Sequence, residues 1–83
     1  METVKLHCKR AMQLLEAEYG NQLEYSGIAK KIYEILGKML LDQNALDKAV
    51  DVDWGGLIRA FADDTMDYTS QIVFELEAIR KAV

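Results

Sequence analysis

From the N-terminal end the apolar residues recur at Val4, Cys8, Ala11, Leu15 and Tyr19. Steps of three and four return side chains to one side of a 3.6-residue helix, so the spacing predicts an amphipathic first helix. Gly20 stands where such a helix would end, since glycine best tolerates the left-handed conformation of a C-cap. A second helix is expected to turn Tyr25, Ile28, Ile32, Ile35, Leu36 and Met39 inward, with Lys30, Lys31, Glu34 and Lys38 on its outer side. Its start has two candidates: Asn21 with Glu24 three residues on, in the manner of a capping box, and Ser26. Gly37 inside it carries a propensity cost of up to about 1 kcal/mol, which close approach of a neighbouring helix would explain.

Beyond Leu41 the pattern shortens. Asn44 is placed to cap a third segment holding Leu46, Ala49 and Val50, and Asp53 to cap a fourth helix that opens at Trp54. One apolar stripe then runs through Trp54, Ile58, Phe61, Thr65, Tyr68, Ile72, Leu76, Ile79 and Val83. A single helix carrying it would measure about 40 Å, longer than the ~30 Å diameter of a domain this small. In an unbroken helix Asp67 would also lie beside Asp63 and Asp64, whereas acids in the first turn of a new helix are favoured by its dipole. These two arguments place a break near Asp63–Thr65. Sustained alternation is missing from the sequence, and no hairpin dipeptide stands between apolar runs. The expectation is an all-α single domain over residues 1–83, a compact bundle of four or five short helices.

Composition adds a constraint. With 83 residues and 51% of them hydrophobic, the chain has more apolar groups than a thin core can hide. Some are expected on the outside as a contact surface. Cys8 is the sole cysteine, so no disulfide forms within the chain and a thiol-reducing compartment fits. Met1–Lys5 lacks the basic-then-apolar layout of a signal peptide, and no apolar run approaches membrane-spanning length. A cytoplasmic, non-membrane protein is expected.

The charge is uneven. Residues 1–40 carry six Lys/Arg and five Glu, a balance of +1, while residues 41–83 carry four Lys/Arg and nine acids, a balance of −5. All seven aspartates fall between Asp42 and Asp67. Aspartate suits helix caps and turns, and the several boundaries expected in this stretch account for the cluster on that ground. The basic residues Lys5, Lys9, Arg10, Lys30, Lys31 and Lys38 lie among glutamates in an acidic chain, so direct nucleic-acid binding is not expected.

Catalytic chemistry finds little to stand on. His7 and Cys8 are adjacent, and neighbouring helix positions point about 100° apart, so they cannot face each other as base and nucleophile. Asp51-Val52-Asp53-Trp54-Gly55-Gly56 has the opening of a calcium loop, with glycine at the sixth position. Gly55 stands at the fifth position and Ala62 at the twelfth, where ligands are required. No metal, cofactor or catalytic residue is assigned. Trp54-Gly55-Gly56 resembles, over three residues, the W-x-G of small helical-hairpin proteins exported by specialised secretion systems. The Tyr-x-x-x-Asp/Glu signal of those proteins is absent, because Tyr68 is followed four on by Ile72.

The remaining signals concern binding. Ile72, Leu76 and Ile79 define the inner stripe of the last helix, while Val73 and Phe74 lie about 100° and 200° from Ile72. That helix is either packed on several sides or presents Val73 and Phe74 to another chain. The expected function is stoichiometric protein binding rather than catalysis, by Asp63, Asp64 and Asp67 toward a basic partner and by Val73 and Phe74 at an apolar contact. A regulator or inhibitor of a basic, nucleic-acid-handling protein is the sharp form. An adaptor or structural subunit that homo-oligomerises, or an enzyme with an unrecognised carboxylate site, are the alternatives.

Overall fold

The computed structural model describes residues 2–21, 27–66 and 69–83. Its helices are α1 (Glu2–Tyr19), α2 (Ile28–Leu41), α3 (Gln43–Asp47), α4 (Trp54–Thr65) and α5 (Gln71–Ala82), with a 3₁₀ turn at Lys48–Asp51 between α3 and α4. There is no strand among the described residues. The body measures 30 × 23 × 18 Å, with a radius of gyration of 11.6 Å. No helix among the described residues is long and apolar enough to cross a membrane.

The longest helix, α1, forms the most extensive contacts with α5 and then with α2, while α4 packs against α5 and α2 and α3 against α2. The 3–4 spacing explains the core directly. Val4, Cys8, Ala11 and Leu15 from α1 meet Ile32, Leu36 and Met39 from α2, Phe61 from α4 and Ile72, Leu76 and Ile79 from α5, all buried. Tyr19 closes one end, its ring meeting Phe61 edge-on at 5.5 Å between centroids. The Tyr33 hydroxyl of α2 donates to the Glu16 carboxylate of α1, and that bond holds the Tyr33 phenol above its ordinary pKa. Tyr25, expected inward, and both candidate starts of α2 that involve Glu24 or Ser26 lie outside the described residues.

Several boundaries differ from the sequence expectation. After Tyr19 the chain tightens into a 3₁₀ continuation through Gly20 and Asn21, and no described glycine has positive φ, so Gly20 ends α1 without a left-handed cap. Asp42, rather than Asn44, caps α3, its carboxylate accepting from the Asn44 N–H at 2.9 Å. Val50 is exposed instead of joining Leu46 and Ala49 in the core, because the 3₁₀ turn shifts the helical phase by which it was placed inside. Asp53 caps α4 as expected, accepting from the Gly56 N–H at 3.1 Å.

The long stripe does break. Helix α4 ends at Thr65, Met66 adopts the left-handed conformation (φ 59°, ψ 24°), and α5 opens after Ser70, whose hydroxyl oxygen accepts from the Ile72 N–H. The break follows the expected Asp63–Thr65 stretch, but Asp63 and Asp64 do not open the new helix. Asp63 and Asp64 occupy the last turn of α4, at the negative end of its dipole, and the new helix starts on a serine.

Candidate protein-binding surfaces

The C-terminal end of α4 concentrates negative potential. Asp63 and Asp64 are exposed there, where the negative end of the helix dipole adds to their charge. Met66, immediately beyond, is 78% exposed and holds a backbone conformation that costs a non-glycine residue roughly 1–2 kcal/mol. The Thr65 hydroxyl instead turns inward along the helix to donate to the Phe61 carbonyl at 2.8 Å. Asp67, the third acid assigned to this surface, lies outside the described residues.

On α5 the structure separates Val73 from Phe74. Val73 is half-buried against the core and lines a shallow groove of about 680 Å³ between α4 and α5, floored by Ile58 and Ala62. Arg59, Arg80 and Glu77 edge the groove, with Arg80 Nη1 3.7 Å from Glu77 Oε1. Phe74 is 59% exposed on the outward side of the helix. Val73 thus borders the groove between α4 and α5, while Phe74 is the more exposed of the two.

Sequence reasoning missed the most deeply placed polar pair. Glu75 is 7% exposed, and its Oε2 lies 2.5 Å from Nδ1 of His7 on α1. The two groups share one hydrogen bond, Nδ1 donating in the tautomer that carries its proton there. The pair is separated by 68 residues along the chain, and no local spacing signals it. Next to His7, Cys8 is fully buried, and desolvation pushes its thiol up to about 11. At neutral pH it stays protonated and is not a nucleophile. Beside the pair, Arg10, Gln13, Leu14, Ala17, Gln71 and Glu75 line an open groove of about 430 Å³ between α1 and α5.

The motif around Trp54 is accounted for by folding. Trp54 is the first residue of α4 and is buried, its indole N–H donating to the Ala49 carbonyl at 2.8 Å. That bond ties the 3₁₀ turn to α4. The Asp53 carboxylate folds over the first turn so closely that a Cβ at Gly56 would collide with it. Asp51 is exposed in the 3₁₀ turn. Lys31 and Lys38 are exposed along α2 with Glu34 between them, as expected of a solvated face. Comparison with known proteins finds no matching family model, curated protein or solved structure.

Proposed function

We propose that this chain is a non-catalytic protein-binding module that engages a basic partner through the C-terminal end of α4. One observation carries the reading: three locally unfavourable features coincide at that point. Each exposed acid at the negative end of a helix weakens it by about 0.3–1 kcal/mol, and Met66 adds the cost of its left-handed backbone. Positions that break local rules are where binding sites are expected, and a partner cation would add to whatever already offsets these acids. A cation brought to Asp63 and Asp64 meets both carboxylates and the helix dipole at once, with the exposed Met66 thioether as an adaptable apolar neighbour. Such a surface competes with phosphates for a basic protein, so inhibition of a nucleic-acid-handling partner is the form of regulation it supports.

Affinity capture from native lysate tests this, with the wild type and the Asp63→Asn/Asp64→Asn variant run in parallel and eluted by a salt gradient. A basic protein retained at low salt by the wild type and lost from the variant supports the reading. Equal retention by both chains removes α4 from the interface. A second reading, a homo-oligomerising structural subunit, draws on the exposure of Phe74.

A further inference from the structure

We propose that the outward face of α1 and α5 around Leu6 and Phe74 docks the acidic 41–51 segment of a second copy of this chain. The proposal is independent of the α4 end and uses different residues. Leu6 and Phe74 are both exposed, and each immediately precedes a member of the His7–Glu75 pair. The 2.5 Å bond between Nδ1 and Oε2 therefore sets the two apolar side chains at one level of the bundle, on adjacent helices. Leu14 and Ala17 share a groove with Gln71, so α1 and α5 run antiparallel. Three and four residues beyond Leu6, on the same side of α1, stand the exposed Lys9 and Arg10. The face thus has an apolar centre and a basic rim.

Its complement lies on the same chain. Between residues 41 and 51 the side chains of Leu41 and Val50 are 92% and 65% exposed, and Asp42, Asp47 and Asp51 are exposed with them. Lys48 is the single cation of that stretch. The pattern is apolar residues among acids, opposite in sign to the surroundings of Leu6 and Phe74. The α3 helix at its centre packs against α2, away from the principal contacts of α1 with α5. The two surfaces do not cover each other within one molecule, since Leu6, Phe74, Leu41 and Val50 all stay exposed. Because they are different patches, contact between copies is head-to-tail, and it extends into open chains unless its rotation closes a ring. Charge complementarity of this kind acts most strongly at low ionic strength.

Sedimentation and light scattering of the purified chain test the proposal. The expected result is a weight-average mass that rises with concentration at low salt and returns toward 9.4 kDa at high salt. Two variants decide the geometry: Arg10→Glu/Phe74→Ser disables the α1–α5 face, and Asp47→Lys/Asp51→Lys disables the 41–51 segment. All four positions are exposed, and helical circular dichroism checks that both variants fold. Each should be monomeric alone, and their mixture should form a one-to-one dimer that grows no further, since one intact face and one intact segment remain. A wild type that stays monomeric at every concentration in low salt overturns the proposal. So does a mixture that stays monomeric while the wild type associates, or a variant that still self-associates.

Discussion

Replacing His7 by alanine removes the imidazole that donates to the carboxylate of Glu75. Glu75 sits on the inner side of α5 beside Ile72, Leu76 and Ile79, largely buried where it borders the groove between α1 and α5. Leaving a buried acceptor short of its partner costs about 1–3 kcal/mol, and more when it is charged. Exposure of the two side chains, 20% for His7 and 9% for Glu75, lets water enter part of the space the ring vacates. The expected loss is therefore in the lower part of that range, about 1–2 kcal/mol. In a domain of this size each kcal/mol lowers the melting temperature by roughly 4–8 °C, so a fall of about 5–15 °C is expected by far-UV circular dichroism. The double variant His7→Ala/Glu75→Leu removes the buried carboxyl group together with its partner, and should recover a substantial part of the loss. A His7→Ala protein that melts with the wild type would refute this account of Glu75. A double variant less stable than His7→Ala alone would show that the carboxylate itself, not its lost partner, was the stabilising group.

Three further outcomes follow from single positions. Gly37→Ala should raise stability by about 0.5–1 kcal/mol, because Gly37 is helical and an added Cβ would sit 3.6 Å from Met12 Cε, an ordinary contact; a lower melting temperature would show that α1 and α2 cannot accommodate the methyl group. Asp53→Ala should cost about 1 kcal/mol by denaturant unfolding, through loss of the N-cap bond to Gly56, and no change would mean that water replaces it fully. Cys8 should react with a thiol reagent only as fast as the chain opens, since its thiol is buried and raised to about 11. Its unfolded thiol ionises near 9.0, so in the window from there to about 11 the unfolded chain releases a proton the folded one retains, and Cys8 contributes a loss of stability as pH rises. Cys8→Ala should be less sensitive to pH in that window than the wild type.

The helices that pack through a single stripe were legible because burial follows spacing. Val4, Cys8, Ala11 and Leu15 are buried as their 3–4 pattern requires, and Asp53 caps α4 because aspartate before an apolar helical run has a local use for its carboxylate. Phase was lost where the helix type changed: the 3₁₀ turn rotates Val50 out of the core, which a 3.6-residue period does not foresee. The break between α4 and α5 was detectable from length, but its cause was misassigned. Acids signal a helix start only when the following residues are helical, and here Asp63 and Asp64 finish α4 while Ser70 begins α5. Phe74 was legible as lying off the inner stripe, whereas Val73 depended on how closely α4 approaches α5. The His7–Glu75 bond was not legible, because residues so far apart meet only through the antiparallel packing of the first and last helices.

The central claim is that the α4 end recruits a basic partner by its charge, and association kinetics with the captured partner tests it most directly. Each carboxylate about 8 Å from a partner cation in water contributes about 0.5 kcal/mol, so removing two changes the encounter by roughly 1 kcal/mol. The Asp63→Asn/Asp64→Asn variant should associate about five-fold more slowly than the wild type at low salt, with a flatter salt dependence and a less altered dissociation rate. An association rate equal to that of the wild type at low salt would contradict the claim and leave the two aspartates as solubilising groups at the end of a helix.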